Sequence, residues 1–342
     1  MTSEIMKATP KKILAVVLAG GQGSRLRPLT LTHAKPALPF GGSFRLVDFV
    51  LSNLVNSGID SIYLLAQYKP ESLIKHIHAN WNLASDDHER FIRVVLPQQE
   101  SGGSFRGTAD AVYKNLALIE QHAPDMVAVF AADHVYRMDV SQMVQFHCEC
   151  DADVTVAATQ VPIALASSFG VIAAGHKGEI LDFQEKPEVP IAMPSCPERA
   201  YASMGNYLFN TEVLVEALEH ALRLGETDFG GHILPRLIHS HQVHAYDFSN
   251  NSVPGIRPHE EQAYWRDVGT LEAYLSAHDD VAGSAPRFNL HNPHWPTLPA
   301  LHAIDMASVR PQHWKRSNAA TSRHPISSMF SDEFDALHAG RA

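Results

Sequence analysis

An α/β domain built on a largely parallel sheet is the fold this sequence predicts, and three observations predict it. Short apolar runs rich in β-branched residues, such as Ile13–Ala19 and residues 126–132, alternate along the chain with segments of helical period. The first of these runs passes directly into Gly20, Gly21 and Gly23, and the second into Asp133, so residues able to meet a ligand stand just past strand ends. The chain has 342 residues, 45% hydrophobic and 19% charged, enough for a full core in one large or two medium domains.

Taken in order, residues 1–12 read as an N-terminal extension and Ile13–Ala19 as a buried central strand. Residues 44–56 have the pattern of an amphipathic helix closed by Gly58. Ser61–Ala66 is the second strand. Residues 70–81 form a helix with Leu73, Ile74 and Ile77 on one face, 86–90 a polar loop, and 91–96 the third strand. Gly107 allows a sharp bend and Thr108 is a good N-cap for a helix to about His122. The strand at 126–132 is terminated by Asp133-His134. A helix at 141–150 and a strand at 154–161 follow. A hairpin then pairs 171–174 with 179–184 around the polar turn His176-Lys177-Gly178. The second arm leads into Glu185-Lys186-Pro187. After a Pro-rich loop at 189–199 come a strand at 201–209 and the capped helix Thr211–Leu224. A shorter helix follows Asp228-Phe229-Gly230, and 242–248 is the next strand. Thr270 caps the last helix, which runs to about Asp280. Beyond Gly283, prolines, histidines and small polar residues mix without period, so 284–342 reads as an irregular tail.

Composition excludes several classes of function. A net charge of −10 argues against nucleic acid as the main partner and makes any cations beside a phosphate a local arrangement. No apolar run approaches the roughly 20 residues of a membrane span, and the start has no apolar signal core. Three cysteines, Cys148, Cys150 and Cys196, make no disulfide framework, so a reducing cytoplasm is expected. Cys148 and Cys150 lack a second Cys or His pair at metal-finger spacing and read as ordinary thiols.

The chemistry concentrates around residues 13–36. Glycine accepts positive φ and leaves room for close approach, so the loop at Gly20, Gly21 and Gly23 can turn backbone N–H groups toward negative charge. Arg25, Arg27 and Lys35 follow, three cations that suit a polyphosphate. A tight strand-to-loop turn would use the same glycines. A P-loop would need Gly-Lys-Ser/Thr, where Gly23-Ser24-Arg25 stands; a dinucleotide fingerprint would need a third glycine opening a helix, where Leu26 and Pro28 stand. Elsewhere each candidate keeps two readings. Thr108 opens either a ligand-facing helix N-terminus or a plain capped helix. Asp133 either holds a hard cation or forms a turn. Lys186 either meets a phosphate monoester or is solvated. Asp267 either shares a cation or pairs with Arg266 or Lys186.

Leu18-Ala19-Gly20-Gly21-x-Gly-Ser-Arg25-Leu26 with Lys35-Pro36 resembles the signature of the sugar-phosphate nucleotidyltransferases. Phe40-Gly41-Gly42-x-Phe44-Arg45-Leu46-Val47-Asp48-Phe49 with Leu51-Ser52-Asn53 narrows the resemblance to the glucose-1-phosphate adenylyltransferases, also called ADP-glucose pyrophosphorylases. Matching blocks continue to about Trp295. The resemblance implies a Rossmann-like nucleotidyltransferase fold, a mixed and mostly parallel sheet flanked by helices, with residues 13–283 as the catalytic domain. Family members continue into a left-handed β-helix of hexapeptide repeats. No such repeat is found here, and the roughly 46 residues after Pro296 are too few to hold one.

By the same resemblance, the reaction is Mg²⁺-dependent transfer of the adenylyl group from ATP to α-D-glucose 1-phosphate, giving ADP-glucose and pyrophosphate for α-glucan synthesis. Asp133 and Asp267 are expected to hold Mg²⁺, and Arg25 and Lys35 to meet the phosphates. Gly20, Gly21, Gly23, Gln67, Gly107 and Thr108 are expected at the nucleotide. Phe105, Gly170, Glu185, Lys186 and Ser203 are expected at glucose 1-phosphate. Phe105 stands where the family usually has tyrosine, which removes a hydroxyl. His134 is expected to pack or hydrogen-bond. Gln22, Thr32 and His33 stand where the family often has cations, so weak or no activation by sugar phosphates is expected. The absent repeat domain normally supports the family's tetramer, which weakens the case for a homo-oligomer. Two rivals stand beside this reading: a nucleotidyltransferase using dTTP, UTP or GTP, and a non-catalytic regulator that binds a sugar phosphate.

Overall fold

The structure is a computed structural model that describes residues 11–81, 90–98 and 103–298. Its centre is strand β1 (Ile13–Ala19), which is buried on both faces, as a β-branched run without alternation requires. Short β2 (Pro39–Phe40) and β3 (Phe44–Arg45) form a two-rung ladder ahead of helix α1 (Leu46–Asn56). Then come β4 (Ser61–Ala66), α2 (Pro70–Asn80), β5 (Phe91–Val95), α3 (Thr108–Tyr113), α4 (Leu116–His122) and β6 (Met126–Ala131). The chain bends at Asp133 into β7 (His134–Tyr136) and α5 (Val140–Glu149), then β8 (Val154–Pro162) and α6 (Ile163–Ala166). The hairpin of β9 (Gly170–Ala174) and β10 (Ile180–Glu185) leads to β11 (Arg199–Asn210), α7 (Thr211–Leu224) and α8 (Leu234–Leu237). Strands β12 (Val243–Asp247) and β13 (Trp265–Asp267) and helix α9 (Leu271–Asp280) close the domain.

The main sheet is mixed, in the order β10-β9-β11-β6-β1-β4-β5, with β8 paired to both β11 and β12. Four neighbours, β6, β1, β4 and β5, run parallel, with Val17 opposite both Leu64 and Phe130. The long β11 runs antiparallel to β6, β8 and β9. Its register breaks between Ser203 and Tyr207, where Gly205 takes a left-handed φ of 69°. Such a bulge re-aims side chains next to a site. Alternation along β1 divides the core. Ala15 and Val17 face a layer with α1, α2 and α5, while Leu14 and Val16 face a layer with α3, α4 and α7.

Helix α7 shows how local sequence sets an element. Leu214, Ala217, Leu218 and Ala221 recur at helical spacing and are buried, and Gly225 ends the helix at φ 72°. Three expectations are corrected. The helix foreseen over 44–56 starts at Leu46 and is buried nearly all round rather than amphipathic. Its polar residues have partners inside. Asp48 accepts from His76, from the Trp81 indole and from the Arg45 amide, each at 2.7 Å, and Asn53 bridges Tyr136 and Met138. The helix expected from Thr108 to His122 is two helices, because Asn115 turns its side-chain amide back to the Ala111 carbonyl at 2.8 Å and leaves the helical path. Gly107, not Thr108, occupies the N-cap position of α3.

Residues 284–298 contain neither helix nor strand and pack on the domain. Phe288 stacks on Tyr264 at 4.7 Å, and the Leu298 amide donates to Ser52. The rest of the expected tail, 299–342, lies outside the described residues, as does most of the 86–90 loop. Among the described residues no helix is long and apolar enough to cross a membrane.

Candidate active site

The glycine loop leaves the C-terminal end of β1. A Cβ at Gly20 or Gly21 would meet no atom within 4 Å, so the backbone there borders open space. Gly23 is different: its φ is 60°, and a Cβ would lie 2.8 Å from Thr30 Cγ2. Only glycine fits that corner. Its carbonyl accepts from the Thr30 hydroxyl at 2.8 Å, and the single helical turn Ser24–Leu26 buries Leu26 and leaves Arg25 exposed. Lys35 sits on a second such turn, Lys35–Ala37. That turn is held by the Ala34 amide to Ser72 Oγ at 3.1 Å and by Arg45 Nη1 to the Ala37 carbonyl at 3.2 Å.

The two aspartates meet because β13 pairs antiparallel with β7, which sets Asp267 opposite His134, one residue from Asp133. Lys35, only 7% exposed, places Nζ 2.7 Å from Asp133 Oδ2 and 3.7 Å from Asp267 Oδ1. His134 Nε2 lies 3.5 Å from Asp133 Oδ1 and 3.9 Å from Asp267 Oδ1. One ligand atom from each of Asp133, His134 and Asp267 falls within 4.8 Å of the others, a spacing that could hold a metal ion. Burial pushes the Asp133 carboxyl up, but Lys35 and His134 outweigh it and hold the group well below the usual carboxylate range. Arg25 reaches the same place: a Cβ on Gly269 would lie 2.9 Å from Asp267 Oδ2 and 3.2 Å from Arg25 Nη2. The open question over Asp267 is answered against both salt-bridge partners. Arg266 pairs with Glu261 and Asp280, and Lys186 with Glu185.

The corner that carries Asp133 is fixed by amides. Asn206, fully buried, accepts from the Ala131 amide at 3.2 Å and donates to the Tyr136 hydroxyl at 3.1 Å. Asn53 donates to the Tyr136 carbonyl and accepts from the Met138 amide. A satisfied network of this kind locks one geometry.

A cavity of about 470 Å³ opens between the glycine loop, α3 and β11. Gly20, Gly21, Gln67, Phe105, Gly107, Thr108, Asp133, Glu185 and Lys186 all border it. Gly23, Arg25, Lys35, Asp267, Gly170 and Ser203 do not line it, although Lys35 joins the lining residue Asp133 to Asp267. Gly170 packs on Phe183, and Ser203 hydrogen-bonds the Tyr207 side chain. Gln67 is already engaged, clamping the Phe105 backbone through both the N–H and the carbonyl. Lys186 holds a left-handed φ of 47°, an uncommon conformation for a residue with a side chain.

Gly107 and Thr108 work differently from the sequence reading. Gly107 is fully extended, at φ −174° and ψ −177°, so no bend calls for glycine. A Cβ there would lie 2.3 Å from the Thr227 carbonyl oxygen. The Thr108 hydroxyl donates to Asp228 Oδ2 at 2.8 Å and accepts from the Phe229 amide at 3.0 Å. Sequence reasoning also passed over Tyr207 and Asp228, which line the cavity. Asp228 was visible only as the residue before a short helix, and its Oδ1 indeed accepts from the Gly231 amide. Burial pushes the Tyr207 hydroxyl far up, with Asp228 and Glu185 adding to the effect.

Comparison with known proteins gives the family. The pattern of the Nucleotidyl transferase family matches residues 14–284. A glucose-1-phosphate adenylyltransferase from Thermodesulfovibrio yellowstonii is 54% identical over 293 residues, covering 85% of this chain and 71% of that protein. One from Thermus thermophilus is 48% identical over 294 residues, covering 83% and 70%. One from Corynebacterium aurimucosum is 45% identical over 319 residues, covering 93% and 77%. On this evidence the chain belongs to the nucleotidyl transferase family and, within it, to the glucose-1-phosphate adenylyltransferases.

Proposed function

We propose that this chain transfers an adenylyl group from ATP to α-D-glucose 1-phosphate, releasing pyrophosphate and forming ADP-glucose for α-glucan synthesis. The observation that carries the reading is the meeting of Asp133 and Asp267 beside Lys35 at the foot of the glycine loop, in a chain with these relatives. A phosphate oxygen of glucose 1-phosphate attacks the α-phosphorus of ATP as the bond to the β-phosphate oxygen breaks. The nucleophile is already an anion, so no protein base is required. The residues have to position two mutually repelling anions and stabilise charge on the group in transfer.

A cavity of about 470 Å³ is in the range of small-molecule sites. In this reading Gly20, Gly21 and Gly23 offer backbone N–H groups to the phosphates, while Gln67, Gly107 and Thr108 shape the nucleotide end. Arg25 holds the leaving pyrophosphate. Lys35 shares its charge between the carboxylates and the phosphates. Lys186 aims the attacking phosphate, Glu185 takes sugar hydroxyls, and Phe105, Gly170 and Ser203 build the wall behind the sugar. The donor set suits a hard divalent ion, since two carboxylates converge within a few ångströms. Mg²⁺ held by Asp133 and Asp267 would supply charge neutralisation and polarise the α-phosphate.

The catalytic domain is assigned to residues 13–283, and the cytoplasm as its compartment. Pyrophosphate release from ATP plus glucose 1-phosphate by the purified chain tests the function. UTP, GTP and dTTP as competitors test the base. Nucleotide binding with no release of pyrophosphate would favour a non-catalytic regulator instead.

A further inference from the structure

A third side chain faces the point where the two carboxylates converge. We propose that His134, through Nε2, is a ligand of the divalent ion, which makes the site a histidine–dicarboxylate centre. This rests on the reading of Asp133 and Asp267 given above.

The backbone sets the arrangement. In the β13–β7 ladder His134 stands directly opposite Asp267, so the two side chains leave the same face of the ribbon. Asp133 Oδ2 is engaged by Lys35, and it is Oδ1 that faces His134. Ligands about 2.1 Å from one ion lie roughly 3 Å apart when adjacent and about 4.2 Å apart when opposite. The separations of 3.5 Å and 3.9 Å from His134 Nε2 fall between those limits. The three ligand atoms together lie within 4.8 Å of one another, so an ion would draw the two carboxylates inward.

Among the described residues the rest of the ring has no other polar work. It packs against Trp265 with ring centres 5.0 Å apart, and its Cε1 lies 3.7 Å from where a Gly205 Cβ would be. Its Nδ1 is buried without a hydrogen-bond partner among the described residues. A purely structural histidine is usually anchored by a good hydrogen bond at one nitrogen or the other. Here the one nitrogen with polar neighbours is 3.5 Å from the nearest, long for a hydrogen bond and suitable for sharing an ion. A nitrogen donor also changes ion preference. Imidazole favours Mn²⁺ and Co²⁺ over Mg²⁺ more than carboxylates alone do.

The test uses the full chain with its histidines labelled with ¹⁵N, loaded with Mn²⁺ in the presence of inorganic pyrophosphate, which contains no nitrogen. Pulsed electron paramagnetic resonance should show a ¹⁵N coupling to the Mn²⁺. The coupling should vanish in His134→Phe and His134→Gln, with Mn²⁺ affinity falling about tenfold or more and Mg²⁺ affinity falling less. If either variant fails to fold, the wild-type spectrum still decides, because no other described histidine clusters with these aspartates. Bound Mn²⁺ with no histidine coupling would overturn the inference and leave the two-carboxylate reading standing. No Mn²⁺ binding by the wild type would overturn both.

Discussion

Replacing Gly107 by alanine tests why glycine stands at this point of the cavity wall. The backbone there is extended and open to any residue, so conformational freedom is not the reason. The added methyl would sit 2.3 Å from the Thr227 carbonyl oxygen and 2.9 Å from its carbon. Ordinary contact requires about 1 Å more than the first of these distances, and that much separation has consequences. The same carbonyl accepts from the Ala109 amide at 2.9 Å and the Asp110 amide at 3.2 Å. Overpacking costs about 1–3 kcal/mol, and two weakened backbone hydrogen bonds add about 1 kcal/mol each at most. A loss of about 3 kcal/mol corresponds to a fall in Tm of roughly 5 °C for a domain of this size.

Activity should change in a distinct way. Moving α3 away from Thr227 also pulls Thr108 from Asp228, so the cavity wall opens and KM for ATP should rise several-fold. Lys35, Asp133 and Asp267 are held by other elements, so kcat should fall less. Thermal melts by circular dichroism and pyrophosphate-release kinetics read both effects. An alanine variant melting within about 1 °C of the wild type, with KM unchanged, would refute the close-approach argument.

Three further outcomes are expected. Arg25→Ala should lower turnover by about 10³-fold, the scale of arginine contacts in phosphoryl transfer, while leaving the melting curve unchanged because the side chain is exposed; near-normal steady-state kinetics would remove Arg25 from the site. Asp133→Asn should abolish metal-dependent turnover with the fold intact; a melted protein whose folded fraction is fully active would make the residue structural. Burial lowers the pKa of His147, which the Asn210 hydrogen bond only partly offsets, so the unfolded chain binds this proton more readily than the folded one. Its stabilising contribution is complete above the unfolded value of about 6.5 and is lost as pH falls from there toward the folded pKa, by at most about 1.4 kcal/mol per pH unit. Urea unfolding at pH 7.5 and 5.5 should show a steeper loss in the wild type than in His147→Gln, and equal slopes would contradict this.

What could be read in the sequence divides along physical lines. Ile13–Ala19, Ser61–Ala66 and Thr211–Leu224 have the bounds their patterns suggest, because the two strands are short unbroken apolar runs, the helix has a clean period, and each ends at a glycine or polar residue. The convergence of the glycine loop with Arg25, Lys35, Asp133 and Asp267 followed from motif resemblance, and the structure brings those residues to one place. What stayed hidden depends on contacts between distant segments. Asp48, Ser52 and Asn53 look like a solvent face because no local pattern announces His76, Trp81, Tyr136 or Leu298 as their partners. Gly107 looks like a hinge because the Thr227 carbonyl is 120 residues away in the chain. Strands β7 and β13 have three residues each, too few to show alternation, so neither their pairing nor the aim of His134 had a local trace.

That three-rung ladder is where fold and chemistry join. A slip of one residue in β13 would turn Asp267 to the opposite face and bring Arg266 toward the lysine and the histidine. Three rungs alone give weak register, so the opposite face has to supply it. There Arg266 makes a bidentate pair with Glu261 at 2.8 Å and 2.7 Å, meets Asp280 at 2.9 Å and lies 4.2 Å from the centre of the Tyr264 ring. Tyr264 in turn donates to Asp280 and stacks on Phe288. An isolated ion pair about a quarter exposed would add little. A bidentate fork shared by two carboxylates and a ring accepts only one placement of the guanidinium. The alternation of the strand then carries that constraint across the ribbon, so the charge network on the side away from the cavity fixes the distance between the two aspartates.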